Sequence, residues 1–385
     1  MKLFTSLFLF LTTVSITFSQ SSKVIWEQTF GGSENDNAKS VIQATDGSYY
    51  VCGSTESMGF GKSDAFIIHL DENGKELWQK TYGGEYDDIA NCIIQARDGN
   101  LVFCGSTESK GKGREDFWVC KIDENGKLLW EQTYGGDKSD VANKIIQTFD
   151  NGYAVCGYTK SRGEGGYDAY ILKIDDKGER IWRKTYGGSG RDEAESIVQT
   201  PDSGYVFCGY SSSRSAGSYD FWICRIEREG REMWDYKYGD LMMETAYALK
   251  MLGDESVIVT GYQMDKKNHD FNFWTLYLDR LGEKKWAKTY GENRMEQAYG
   301  MTTASDGSYI ICGYTSSKGN GKKDIWVLKI DSKGNELAEI TIGGEEDDVA
   351  YDVIQASDGD FVVCGTTASK GEGKEDAYVV KFKLK

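Results

Sequence analysis

Proline and histidine are almost missing from this chain, with one proline, Pro201, and two histidines, His69 and His269, among 385 residues. So few imidazoles leave little material for a histidine-based metal cluster or a Ser-His-Asp relay. His269 lies in a loop with no partner visible from spacing. His69 stands in a strand position held elsewhere by Lys121, Lys173, Arg225 and Lys329, which reads as a surface position. Basic residues are also scarce: 45 Lys and Arg face 61 Asp and Glu, a net charge of -16. Affinity for nucleic acid comes mostly from cations that neutralise phosphates, so no nucleic-acid partner is expected. Solubility is the direct consequence of the acidic balance.

Long apolar runs are missing too, apart from residues 1–20, "MKLFTSLFLFLTTVSITFSQ", where one lysine precedes an apolar stretch and small residues near Gln20. That pattern reads as a secretory signal peptide, too short and wrongly flanked for a membrane span. Cleavage near Gln20 would remove Lys2 and shift the charge to -17. The mature chain is then expected to be secreted, periplasmic or held at the cell surface, with no membrane span.

What the chain has in abundance is glycine, 46 residues, with 24 tyrosines and 10 tryptophans. Trp26, Trp78, Trp130, Trp182, Trp234 and Trp286 recur every 52 residues, and the next step lands on Ala338. Seven such copies fill nearly everything after residue 20, leaving no room for a second domain, and a fixed period of this size marks a solenoid or a propeller. Each copy holds four short apolar or aromatic runs; in the third they are "NKIIQT", "GYAVCGYT", "AYILKI" and "IWRKTY". Turns such as "DG" and "DENGK" between them are hairpin chemistry, because Asn and Gly tolerate positive φ. The fold class is therefore all-β, a seven-bladed β-propeller with four antiparallel strands per blade, forming one domain over residues 21–385. The last run, "AYVVKFKLK", lacks a following Trp strand, and "KVIWEQTF" near the start is an orphan. The N-terminal strand should close the ring, with Val24–Phe30 beside Tyr378–Lys383, which leaves no open sheet edge.

The repeated phrase "W..TYGG...D.A..IIQ..DG.YVVCG.T.S.G.G..D.W..KID.NGK" resembles the seven-bladed propeller repeat of exported bacterial proteins, over residues 24–385. The "ID.NGK.LW" turn is similar to the tryptophan-docking motif of quinoprotein propellers. Both resemblances imply a fold, and a fold does not decide a function.

Cys52, Cys104, Cys156, Cys208, Cys312 and Cys364 share one slot, Cys120 and Cys224 another, and Cys92 stands alone. Equivalent positions on neighbouring blades lie roughly 10 Å apart at the second strand, given strand spacings of about 4.8 Å. A disulfide needs Cα atoms within about 7 Å. The thiols are read as small buried apolar groups.

Two loops of each copy should lie at the same end of the ring, and both carry repeated charge. An acid follows "GG" in every copy: Asp36, Asp88, Asp140, Asp192, Glu244, Glu296 and Asp348. A base recurs in the other loop at Lys110, Arg162, Arg214 and Lys266, and again at Lys318 and Lys370. They form either a polar ring for a ligand or a set of loop caps, each acid accepting backbone N–H bonds beside a nearby base. The copies starting at Trp234 and Trp286 break the pattern with Met242, Met243 and Met295, and the loop "YQMDKKNHDFNFW" carries His269. These residues, Lys318 and Lys370 apart, make up the candidate ligand-binding set.

No catalytic set assembles by spacing, and no metal or cofactor is expected. "MGFGKS" lacks the first glycine of a phosphate loop and precedes a strand. "DENGK" lacks the alternating carboxylates of a calcium loop. The function expected is a binding or scaffold propeller that recognises a glycan or protein partner through its loop face, as a monomer. The alternative is a propeller enzyme, either a carboxylate-based glycan hydrolase or lyase or a quinone-dependent oxidoreductase. Carboxylates converging within roughly 5 to 10 Å near the axis would favour the hydrolase.

Overall fold

A computed structural model describes residues 22–384; the segment assigned to export lies outside the described residues. Twenty-eight strands, β1–β28, form seven four-stranded antiparallel sheets. Blade 1 comprises β2 (Asp36–Gln43), β3 (Tyr49–Thr55), β4 (Asp64–Leu70) and β5 (Glu76–Tyr82), and each later blade repeats this plan 52 residues on. Blades 2 to 6 span 88–134, 140–186, 192–238, 244–290 and 296–342. Blade 7 is closed by the start of the chain. β1 (Lys23–Phe30) pairs with β28 (Asp376–Lys383), setting Val24 opposite Phe382 and Phe30 opposite Ala377.

The second and third strands of each blade are buried along almost their whole length, because neighbouring blades cover both faces. That is why they read as unbroken apolar runs. Trp118, Trp222 and Trp326 are wholly enclosed there, filling the width that opens between wedges away from the axis.

Three kinds of stitch join each blade to the next. At the periphery, the Trp of one outer strand lies on the turn glycine of the following blade: a Cβ on Gly126 would come within 3.0 Å of the Trp78 ring, and one on Gly74 within 2.7 Å of Trp26. The neighbouring tyrosine donates its hydroxyl to the same glycine's carbonyl, as Tyr82 does to Gly126 at 2.6 Å and Tyr186 to Gly230 at 2.7 Å. Blade 7 has no turn between β28 and β1, and the two residues that would dock on one are Ala338 and Ile342.

On the face where the first strand ends, a glutamine accepts the N–H of the preceding blade's turn. Gln147 takes Arg97 N–H at 2.9 Å, Gln199 takes Phe149 at 2.8 Å, Gln355 takes Ser305 at 2.7 Å, Gln43 takes Ser357 at 2.7 Å and Gln95 takes Thr45 at 3.3 Å. The slot equivalent to these donors in blade 4 is Pro201, which has no N–H. The glutamine it would meet is Met251. Donor and acceptor are lost together.

On the opposite face backbone bonds link blades, such as Asp88 N–H to Ser63 at 2.7 Å and Asp348 N–H to Lys323 at 2.8 Å. Among the described residues no such bond joins Glu296 to Phe271, and Thr303 replaces the glutamine at the same junction. The seam between blades 5 and 6 is thus the least stitched.

The position of His69 corrects the surface reading of its slot. The ring stacks on Tyr50 with centroids 4.1 Å apart and edges Trp78. Its counterparts Lys121, Lys173, Arg225 and Lys381 are buried and reach the aspartate of their own blade's turn, as in Lys121 to Asp98 at 2.6 Å and Lys381 to Asp358 at 2.6 Å. Alternation along a strand covered on both faces conceals the ion pair that makes such burial tolerable. All nine cysteines are reduced and buried. The ring-spacing estimate compared equivalent positions only; Cys92 and Cys104 are direct cross-strand partners within blade 2.

Candidate functional site

Glycine in every "VCG" has a structural cause that leads to the axis. In each blade the pairing of first and second strands slips by one residue, between Ala38 and Ser40 in blade 1 and between Ala142 and Lys144 in blade 3. This β-bulge brings the inner strand so close that a Cβ on Gly53 would meet the Ala38 Cα at 3.0 Å. The extra residue of each bulge is turned toward the axis. The seven are Lys39, Asn91, Asn143, Glu195, Tyr247, Tyr299 and Tyr351, and all seven line one axial cavity of about 410 Å³. Residues further along the inner strands complete it, among them Lys144, Lys250 and Asp352.

This ring is not seven-fold in chemistry. Tyr247, Tyr299 and Tyr351 form an arc, with centroids 5.1 Å apart for the first pair and 5.5 Å for the second. The Lys39 ammonium lies 3.6 Å from the Tyr351 ring centroid, a cation–π contact. On the other side, Asn91 and Asn143 each donate their amide N–H to the next blade's backbone, at Ala142 and Ala194, leaving the carbonyl end of each amide for the channel. Glu195 has no hydrogen-bond or ion-pair partner among the described residues. Burial in the channel wall, with Glu193 close by, pushes its carboxyl up to about 8.

The arc continues upward onto the loop face. The residue after the glycine of the second strand is Tyr158, Tyr210, Tyr262 or Tyr314 in blades 3 to 6, but Ser54, Ser106 or Thr366 in blades 1, 2 and 7. Each of the first three meets an aromatic from the third strand's approach: Tyr158 with Tyr167, Tyr210 with Tyr219, and Tyr262 with Phe271, all at 5.0 to 5.3 Å. Tyr262 touches Tyr247, and Tyr314 touches Tyr299. Arg191, Lys160 and Lys323 stand over these rings. The mouth of the channel therefore carries an aromatic crescent over four consecutive blades.

The charged loop residues singled out by the sequence sit outside this crescent. The seven acids are buried and cap their own loops. The Asp36 carboxylate accepts Gly32 N–H at 2.9 Å and the Ser57 hydroxyl at 2.6 Å, and Asp88 accepts Gly84 N–H at 2.7 Å and Ser109 at 2.6 Å. Asp140, Asp192 and Asp348 repeat this arrangement. Glu296 takes the Ser317 hydroxyl and Glu292 N–H. Glu244 has only the Asp240 N–H, and burial raises its carboxyl to about 7. The bases turn outward. Lys110 pairs with Glu131 at 2.6 Å, Lys266 with Asp240 at 2.9 Å, and Arg162 donates to the Gly135 carbonyl, while Arg214 is exposed. Met242 and Met243 are half-buried, and Met295 and His269 are exposed on the rim of blades 5 and 6, His269 in a left-handed turn with φ of 60°.

The sequence reading missed the axial ring. Its signal was the slot 39, 91, 143, 195, 247, 299, 351, which with the slot after it varies from copy to copy between an alanine present in all seven and the apolar run that follows.

No family model matches the chain. A regulatory protein, FlaEY of Caulobacter vibrioides, is 24% identical over 174 residues, which is 39% of this chain and 18% of that protein. The fold is similar to the Pan2 WD40 domain of Neurospora crassa, with a TM-score of 0.54 at 10% identity over 90% of this chain and 89% of that one. It is also similar to the BBS1N chain of a complex with ARL6DN, with a TM-score of 0.55 at 10% identity over 94% and 97%. The two structural likenesses support the propeller fold.

Proposed function

We propose that the protein is an exported, non-catalytic binding propeller that holds a glycan in the mouth of its axial channel, on the loop face. The aromatic crescent of blades 3 to 6 carries this reading. What builds the ring recurs in most blades, whereas Tyr247, Tyr299, Tyr262 and their neighbours break the repeat on one side and around one cavity. Half-buried tyrosines offer flat apolar faces to sugar rings, with hydroxyls and the Asn91 and Asn143 amide oxygens available for sugar hydroxyls. A cavity of about 410 Å³ is of ordinary ligand-site size. Binding is favoured over acid–base catalysis because Glu195 and Asp352, the channel carboxylates, belong to blades 4 and 7, and Asp352 is already held by the Ser40 hydroxyl at 2.9 Å and Val41 N–H at 3.2 Å. Export rests on residues 1–20 alone.

A second reading has its own support. Phe60 is 92% exposed and Leu241 76% exposed on the loop face, and BBS1N was solved in complex with ARL6DN. A protein laid across the rim would cover those side chains. Calorimetric titration of the mature chain with a panel of soluble oligosaccharides separates the two. Binding that falls at least tenfold in Tyr299→Asn, a change to the residue of Asn91 and Asn143, supports the glycan. Unchanged binding in that variant, or none to any sugar, refutes it.

A further inference from the structure

Resting on the glycan reading, we propose that the floor of the axial channel is a carboxylate site, so that the sugar taken is acidic, a uronate whose carboxylate meets Lys144 and Lys250 while its ring lies against Tyr247 and Tyr299. The repeat itself shows how unusual these lysines are. In the Lys144 slot the other copies have Ser40, Cys92, Ser196, Ala248, Gly300 and Asp352; in the Lys250 slot they have Ile42, Ile94, Ile146, Val198, Thr302 and Ile354. Two lysines stand where, Asp352 apart, the other copies have small or aliphatic residues. Neither has an ion-pair partner among the described residues, and both line the cavity.

The charge of the floor follows from its neighbours. The Asp352 carboxyl lies in reach of both lysines, and its oxygens are already engaged by Ser40, Val41 and Val353. Glu195 is mostly neutral at pH 7 because its carboxyl is raised to about 8. Burial, and then the Lys144 charge, hold the Lys250 ammonium below its usual range. With Lys39 at the rim, three lysines face one aspartate and the raised Glu195 carboxyl, inside a protein of net charge -16. The surface charge acts over about 8 Å at physiological salt before screening, whereas charges enclosed by the channel wall are screened far less. The local excess of positive charge therefore decides what enters.

The spacing suits one sugar ring. Lys250 is three residues along the strand from Tyr247, roughly 10 Å at about 3.3 Å per residue. A lysine side chain reaching back leaves room for a pyranose between ammonium and aromatic ring. The neutral and acidic forms of one sugar skeleton share the stacking and differ only at the floor.

Titration of the mature chain with trigalacturonate and with its methyl ester, at low salt and pH 7, tests the idea. The acid is expected to bind at least tenfold more tightly than the ester. Lys250→Ile, which installs the residue of four other blades and so should fold, is expected to bring the acid and the ester within threefold of each other. Equal binding of acid and ester by the unaltered chain overturns the carboxylate site and leaves the glycan reading standing. Preference for the acid that survives both Lys250→Ile and Lys144→Ser overturns it too, by placing the carboxylate elsewhere. No binding of either form counts against both readings. Benzoate, a carboxylate on a flat ring without hydroxyls, distinguishes a sugar acid from an aromatic acid: binding tighter than the uronide's would transfer the site to the latter and overturn the sugar assignment.

Discussion

The paired loss of Pro201 and Met251 gives a sharp test of how the blades are held together. Five junctions carry a glutamine that accepts a turn N–H from the previous blade. At the junction of blades 4 and 5 neither partner can serve. Pro201→Thr alone restores the donor without an acceptor and frees the unfolded chain, so it should cost about 0.4 to 1 kcal/mol. Met251→Gln alone restores the acceptor, but the half-exposed amide finds only water and the change should be near zero. Together they should form one amide–carbonyl hydrogen bond, with a net value of about 1 kcal/mol. Urea unfolding of the four proteins measures the coupling. A favourable interaction energy of roughly 0.5 to 1.5 kcal/mol is expected. If the double variant equals the sum of the singles to within about 0.3 kcal/mol, the latch does not contribute to stability and the account of the junctions is wrong.

Other expectations concern single positions. The Glu195 carboxyl is raised from 4.5 to about 8, so the native state binds its proton more tightly than the unfolded chain does. Stability should therefore fall as pH rises from about 4.5 to about 8. Glu195→Asn should flatten that slope and gain roughly 1 to 3 kcal/mol at pH 8, after allowance for water in the channel; an unchanged profile in thermal melts from pH 4 to 9 would reject the assignment. Gly126 and Gly99 both have positive φ, but a Cβ on Gly126 meets Trp78, Lys80 and Tyr82, while one on Gly99 meets nothing within 4 Å. Gly126→Ala should thus lower stability by about 1 to 3 kcal/mol more than Gly99→Ala, the overpacking cost alone, and equal losses would discount the tryptophan stitch. All nine cysteines should react with a thiol reagent in denaturant and almost none in the native protein, because each is buried; a deficit in denaturant would reveal disulfides.

Much of the ring was legible because its determinants repeat. The 52-residue spacing of tryptophan, the hairpin turns and the unmatched first strand were enough to set seven blades and the closing pair β1 and β28. The loop acids were visible for the same reason, yet repetition could not say whether they face solvent; the Gly32 and Ser57 donors that enclose Asp36 come from two separate loops. The axial site was hidden by the same logic. A bulge leaves no mark in the apolar pattern, so nothing in it singled out Lys39 or Tyr247. The glycine of "VCG" was its trace, since a glycine kept in a buried strand signals close approach of a neighbouring backbone. Likewise Pro201 and Met251 lie far apart in the sequence, and only the latch seen at the other junctions shows them to be one change.

A crystal structure of the mature chain soaked with trigalacturonate tests the central claim most directly. The sugar should lie inside the ring against Tyr247 and Tyr299, with one carboxylate at Lys250. A sugar found on the outer strands, or on the rim near Lys266 and His269 with only solvent along the axis, would contradict it.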